Sequence, residues 1–145
     1  MARPEDIIQV CRDTRAVPAN ANDCNLFVKA VCAAFNVTLT GNADAIIGQI
    51  SRPEWTQHDN DGVAAAAAAE AGALVVGGMT SQALGSAHGH VVIVVDGPLN
   101  RDLYPTAYWG SLNPSIRPNG ALGTTLNFSF SAADRDNVVY ASRTV

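Results

Sequence analysis

The sequence is poor in several features that define common classes of protein. Its 145 residues include only three cysteines, a number too small and too odd for a disulfide scaffold, so at least one thiol must be free. Charged residues make up 15% of the chain, and the 9 Lys and Arg residues form no basic run. We therefore do not expect nucleic acid as the main partner.

Long apolar segments are missing as well. The longest stretches, around 63–76 and 91–95, are interrupted by glycine or too short to cross a bilayer, so we expect no membrane insertion. Residues 1–12 carry acidic side chains and lack the apolar centre of a secretory signal, which predicts synthesis in the cytoplasm. With 48% hydrophobic residues and a net charge of −4, the chain is expected to form one globular domain over 1–145.

The order of the helical and extended patterns predicts an α+β fold, with N-terminal helices packed on an antiparallel β-sheet. Helices are predicted at 5–12, 24–35, 43–50 and 63–71. Strands are predicted at 73–76, 90–95, 106–112, 126–130 and 138–143. The segments 14–22, 55–62, 77–78 and 81–89 are predicted as loops or connections.

Cys24 is the residue that most strongly suggests chemistry. It follows a polar loop in which Asn22 or Asp23 can cap a helix, and the apolar positions after it keep helical spacing. The free N–H groups and the dipole at a helix start stabilise a thiolate, so we interpret Cys24 as a nucleophile. The alternative is a small buried hydrophobe, and that is the interpretation we adopt for Cys11 and Cys32.

His90 is the matching candidate for the base. It precedes the five β-branched residues 91–95, which would hold its backbone at the start of a buried strand. An imidazole fixed there can take the thiol proton, and this chain order is that of papain-like cysteine hydrolases. His88 has the spacing from His90 that a metal site uses, but no ligand cluster accompanies the pair and His58 stands alone. We predict no metal and no cofactor.

The remaining site residues are predicted from where these elements should meet. The group that orients the histidine is expected from the strand around Tyr108, Trp109 and Ser111, or from a backbone carbonyl. The aromatic pair can equally be sheet core. The oxyanion site is expected from the N–H of Cys24 and a second donor, such as a side chain of the 20–23 loop. The predicted substrate-binding residues are Asp23, His88, Tyr108, Trp109 and Ser111.

Several motifs, taken together and in order, resemble one known family. They are Asn22-Asp23-Cys24-Asn25-Leu26-Phe27-Val28, Gly41-Asn42-Ala43-Asp44-Ala45, Gly89-His90-Val91, Gly97-Pro98-Leu99, Tyr104-Pro105 and Trp109-Gly110-Ser111. From about Asp6 to Tyr140 the chain resembles the first family of type VI secretion amidase effectors (Tae type), which are papain-like, NlpC-type peptidoglycan amidases. It departs from that family in having Asn25-Leu26 where Ser-Gly tends to follow the cysteine, and Trp109 where a relative has a cysteine.

The resemblance implies a papain-like, NlpC-type fold with Cys24 as the nucleophile and His90 as the base. It implies an antibacterial toxin, secreted into the periplasm of a rival Gram-negative cell, that hydrolyses the γ-D-glutamyl–meso-diaminopimelate bond of peptidoglycan stem peptides. The implied protein partner is a cognate periplasmic immunity protein that plugs the cleft, and we expect a monomer. The alternatives are a housekeeping or phage-type NlpC-like wall hydrolase, and a non-catalytic binding module or acyltransferase on the same fold.

Overall fold

A computed structural model describes residues 2–111 and 124–145. The α-helices in these ranges are α1 Pro4–Arg15, α2 Pro18–Ala21, α3 Cys24–Ala34, α4 Ala43–Ile50, α5 Gly62–Glu70 and α6 Ser81–Leu84. The strands are β1 Thr56–Asp59, β2 Leu74–Met79, β3 His90–Val94, β4 Thr106–Tyr108, β5 Thr124–Thr125 and β6 Val139–Arg143. Two 3₁₀ turns cover Leu126–Phe128 and Arg135–Asn137.

The described strands form one antiparallel sheet in the order β1-β6-β2-β3-β4-β5. Helices α1, α3 and α4 bury one face of this sheet in an apolar cluster that includes Val91 and Ile93 of β3. The opposite face, which includes Val92 and Val94, packs with α5 and the segments after β4. This is the predicted α+β arrangement, and it is consistent with the papain-like fold.

The helices that carry the candidate site begin at side-chain caps. Asp23 caps α3 by accepting hydrogen bonds from the backbone N–H groups of Asn25 and Leu26. Asn42 caps α4 in the same way, and the predicted bounds of α4 are confirmed. Because these residues satisfy N–H groups that a helix start leaves unpaired, the sequence itself fixes where both helices begin.

Three predicted loops contain regular structure. The segment 81–89 begins with α6, which Thr80 caps by accepting from the backbone N–H of Ala83. The segment 14–22 includes α2, which begins with Pro18 at its first position, where a proline's missing N–H costs nothing. The segment 55–62 includes β1, an edge strand with mostly exposed side chains that pairs with β6. Such a strand has no apolar alternation for a sequence pattern to reveal.

Three strand predictions also need correction. Gly77 and Gly78 lie inside β2. The ring of Tyr140 occupies the space beside Gly77 and would lie 2.9 Å from an added Cβ, so this strand position needs glycine. The strand predicted at 126–130 is a 3₁₀ turn instead. The strand predicted at 106–112 ends at Tyr108, and Leu112 lies outside the described residues. Among the helices of the described ranges, none is long and apolar enough to cross a membrane.

Candidate active site

Cys24 occupies the first position of α3, as the sequence predicts. Cys24 is 6% exposed and belongs to the apolar cluster between the sheet and helices α1, α3 and α4, here called the helix-side cluster. Its thiol is therefore more enclosed than that of a residue at the rim of a groove. The thiol donates to Oδ1 of Asn25 across 3.5 Å, a normal distance for sulfur. The nucleophile candidate therefore sits at a capped helix start beside a polar side chain.

His90 is the first residue of β3 and is 2% exposed. Its Nε2 lies 2.6 Å from Oγ of Ser129, which is itself buried. The imidazole also packs at 5.1 Å, centroid to centroid, from the ring of Phe130. These contacts fix the plane of the ring, as a general base requires.

Ser129 is a site residue that sequence reasoning missed. An extended segment at 126–130 would put Leu126 and Phe130 on one face and Ser129 on the other. In the structure a 3₁₀ turn comes first, with a period of three, so Leu126 and Ser129 are both buried while Phe128 is 60% exposed. Polar Asn127 and Ser129 alternating with apolar residues gave no signal of this period.

A small cleft connects the surroundings of the two candidates. Its walls are the start of α3, the start of α4 and the loop that leads into β3. The lining residues are Asn25, Asn42, Ala43, Asp44, Ala87, His88 and Gly89. Asn25 directly follows Cys24 and Gly89 directly precedes His90, so residues next to the nucleophile and the base candidates share this cleft. Exposed His88, predicted to bind substrate, lies on its wall.

Asp44 anchors the loop that leads into β3. Its Oδ1 accepts from the backbone N–H of Ser81 at 2.7 Å and its Oδ2 accepts from the Ser81 hydroxyl at 2.5 Å. These hydrogen bonds hold the pKa of the Asp44 carboxyl below its ordinary value. A Cβ at Gly89 would lie 2.7 Å from Oδ1 of Asp44 and 2.8 Å from the backbone oxygen of Met79. Only glycine lets the strand start this close to α4.

The segment after β4 packs directly on the loop that precedes Cys24. A Cβ at Gly110 would lie 2.2 Å from the carbonyl oxygen of Asn20 and 2.6 Å from that of Asp23. The backbone N–H of Ser111 donates to the carbonyl of Ala21 at 3.0 Å. The structure therefore brings Ser111 to the loop before Cys24. The strand around Ser111 was predicted to orient the histidine, and the ring nitrogen Nε2 of His90 lies beside Ser129 instead.

Three other predicted substrate-binding residues have structural roles in the described chain. Tyr108 and Trp109 are buried in the two apolar clusters, so the core interpretation of this pair describes their packing. Arg12 donates to the Tyr108 hydroxyl at 3.4 Å, and Arg15 donates to the carbonyl of Trp109 at 2.9 Å. The Asp23 carboxylate is the cap of α3. We do not carry these three side chains into the proposed substrate site.

Comparison with known proteins shows the family of this chain through the sequence of a relative. No protein-family model matches the chain. The peptidoglycan amidase Tse1 of Pseudomonas aeruginosa is 30% identical over 140 residues, an alignment that covers 92% of this chain and 86% of that relative. The chain belongs to the Tse1 family. The coverage is wide enough that the similarity to Tse1 includes both the helical layer and the sheet.

The other two cysteines of this Tse1-family chain differ in their surroundings. Cys11 and Cys32 are free, fully buried thiols of the helix-side cluster, which confirms them as core residues. Burial raises the pKa of Cys32 to about 12 and raises that of Cys11 further above the ordinary thiol value. Burial disfavours the thiolate form of both residues, which is the form that a nucleophile needs.

No group of three or more His, Cys, Asp or Glu side chains within 2–111 and 124–145 is placed to hold a metal ion. His58, predicted to stand alone, has its Nε2 2.7 Å from the Ser142 hydroxyl. His90 likewise uses a ring nitrogen for a serine hydroxyl.

Proposed function

We propose that this protein is a peptidoglycan amidase that uses Cys24 as nucleophile and His90 as general base. The observation that carries the proposal is the placement of Cys24 at the capped start of α3, across a cleft from the loop that leads into His90, in a chain of the Tse1 family. The name of the relative supports the substrate class, and the cleft is where we propose that the substrate binds.

The two side chains approach from different layers. Cys24 belongs to the helix-side cluster, whereas the His90 ring packs on Phe130 of the opposite cluster. His90 begins its strand, and in the proposed dyad the imidazole reaches the thiol around this end of β3. With Nε2 engaged by Ser129, Nδ1 is the nitrogen that we assign to the thiol.

The reaction then follows the course of a cysteine hydrolase. The S–H proton of Cys24 moves to Nδ1 of His90 and the electron pair stays on sulfur. The thiolate attacks the amide carbonyl carbon, and the tetrahedral intermediate collapses to a thioester as the amine leaves with the imidazolium proton. Water, deprotonated by the same imidazole, hydrolyses the thioester and restores the thiol.

The backbone N–H of Cys24 is the first oxyanion donor in this proposal, since it belongs to the open first turn of α3. A side chain of the 20–23 loop was expected to supply a second donor. The amide of Asn20 donates to the carbonyl of Thr14 and the Asp23 carboxylate is an acceptor. Within this loop, Asn22 is the exposed amide left for that role.

The finer function follows the family resemblance of the motifs. We propose cleavage of the γ-D-glutamyl–meso-diaminopimelate bond of stem peptides, by a Tae-type, NlpC-like effector of type VI secretion that acts in the periplasm of a target cell. A periplasmic immunity protein of the producer would cover the cleft between α3 and β3. Occluding so small a site is the simplest way to silence it.

Mass spectrometry of purified muropeptides after incubation with the protein tests the activity. We expect products whose masses and fragments place the new carboxyl group on D-glutamate. The Cys24→Ala variant should give no products, and the Cys32→Ala variant, a matched control on the same helix, should give the same products as the wild type. Intact muropeptides would support the binding-module alternative, and turnover by Cys24→Ala would exclude the proposed nucleophile.

Expression in two compartments tests the effector role. The chain produced in the cytoplasm of a Gram-negative host should be tolerated, whereas the same chain fused to a Sec signal should lyse the cells in a Cys24-dependent manner. Co-expression of a periplasmic protein encoded beside the gene should relieve lysis. Equal toxicity from both compartments would exclude the wall as the target, and absence of any neutralising neighbour would favour a housekeeping or phage-type hydrolase.

A further inference from the structure

The residue after the nucleophile contacts the reacting atom. Oδ1 of Asn25 accepts from the Cys24 thiol at 3.5 Å, and the Asn25 side chain is part of the cleft wall. Its backbone N–H is held at 2.8 Å by the Asp23 carboxylate. The carboxamide therefore projects from a fixed backbone, with the sulfur on one side and the cleft on the other.

We propose that Asn25 stabilises the thiolate form of Cys24. A carboxamide carries an acceptor and two donors, so it suits both states of the sulfur. In the resting state Oδ1 accepts the S–H proton. After the proton has moved to His90, rotation of the amide about χ2 presents Nδ2–H to the thiolate. This inference rests on the proposed dyad and adds a residue that contacts its reacting atom.

The proton balance of this step is simple. The S–H bond breaks, an N–H bond forms on His90, and the electron pair remains on sulfur, where it accepts the Nδ2–H hydrogen bond of Asn25. No proton moves to or from the amide, because a carboxamide does not titrate in this range. Hydrogen bonds to a charged group are stronger than those to a neutral one, so the contact favours the thiolate over the thiol.

Other polar groups of the cleft are already engaged. Asn42 uses its amide oxygen to cap α4, and both oxygens of Asp44 accept from Ser81. The titratable groups next to the thiol and its cleft, which any pH measurement must consider, are Asp23 before α3, Asp44 on α4, and His88 and His90 at the approach to β3.

Substitutions of Asn25 can separate the effect of its N–H donor on the thiolate from the effect of its side-chain shape. Asn25→Asp keeps the shape, removes the donor and adds a negative charge beside the sulfur, whereas Asn25→Ala removes the contact. Asn25→Ser keeps a short hydroxyl donor. An acidic residue in the first turn favours the helix, so the Asp variant should fold. Leu26→Asp is the matched control, because it adds the same charge at an exposed position in the same first turn of α3.

The measurement is the rate of iodoacetamide alkylation of Cys24 as a function of pH, mapped by peptide mass spectrometry on the folded protein. We expect the midpoint to rise by about one pH unit in Asn25→Ala and by about one to two units in Asn25→Asp, from the usual strength of a charged hydrogen bond. Asn25→Ser should stay near the wild type, and Leu26→Asp should shift the midpoint by less than Asn25→Asp. Buried Cys11 and Cys32 should remain unmodified in the folded protein, so their alkylation would report unfolding.

Unchanged midpoints in both Asn25→Ala and Asn25→Asp would overturn the inference. Equal shifts in Asn25→Asp and Leu26→Asp would also overturn it, since they would show a general charge effect. Alkylation needs no peptidoglycan, so the result is independent of muropeptide turnover. If the midpoints shift and muropeptides stay intact, the inference on the thiolate stands and the proposed function fails.

Discussion

The two ends of α3 carry the same side chain in different settings. Cys24 starts the helix and is 6% exposed, and Cys32 lies near its other end and is 0% exposed. Both are buried, so exposure alone hardly separates them. At the start, Oδ1 of Asn25 lies 3.5 Å from the sulfur, whereas Cys32 belongs to the apolar helix-side cluster, where burial raises its pKa to about 12. We propose that the polarity of the neighbouring groups, more than access to water, distinguishes the candidate nucleophile from the packing thiol.

The largest expected difference between these two ends is in catalysis. Cys24→Ala should abolish hydrolysis while changing the free energy of unfolding by about 1 kcal/mol, since one sulfur atom of packing is lost. Cys32→Ala should keep the wild-type rate and destabilise the fold by about 1–2 kcal/mol through the cavity it leaves. Muropeptide turnover and urea denaturation measure the two effects. A rate loss in Cys32→Ala without a stability loss would end the distinction between the two thiols.

The next largest expected effect is the loss of rate when His90, the proposed base, is substituted. His90→Gln should reduce the rate several hundred-fold, because general-base catalysis contributes roughly two to four orders of magnitude. His88→Gln, two residues earlier and exposed on the cleft wall, should cost far less. Initial rates on one purified muropeptide provide the comparison. If the His88 variant were the slower of the two, the base would have been assigned to the wrong histidine.

The smallest expected effect is on the helix start itself. Asp23→Ala removes the acceptor of two backbone N–H groups and should lower the free energy of unfolding by about 1 kcal/mol. Thermal and urea denaturation measure this loss. Asp23→Asn, which keeps a capping oxygen, should restore most of the stability. If Asp23→Asn lowered the free energy of unfolding as much as Asp23→Ala, the charge of this residue, and not its capping oxygen, would be what stabilises the helix start.

The parts of the fold that sequence reasoning predicted are those with local signals. The starts of α3 and α4 coincide with Asp23 and Asn42, which cap them through bonds spanning only two or three residues. The run of β-branched residues after His90 forms a buried strand as expected. Where a side chain within a few residues satisfies the backbone, the sequence contains the whole reason for the element.

The parts that were missed depend on distant neighbours. Edge strand β1 exists because β6 pairs with it, and the glycines of β2 are accommodated because Tyr140 fills the space beside Gly77. Ser129 reaches His90 because a 3₁₀ turn replaces the extended segment that the apolar alternation of 126–130 suggested. None of these reasons is present in the segment itself, so local periodicity could not reveal them.

Contacts between distant parts of the chain hold the candidate site together, as Gly110 and Ser111 do where they pack on the loop before Cys24. They have a consequence for how the protein folds. The bonds that position the candidate site join residues far apart along the chain, with separations of 94 for Arg15 and Trp109, 39 for His90 and Ser129, and 37 for Asp44 and Ser81. Contacts of such high sequence separation form late, because each must close a long loop. Helix α3 can therefore exist before the site does, and regain of enzymatic activity on refolding should lag behind regain of helical signal.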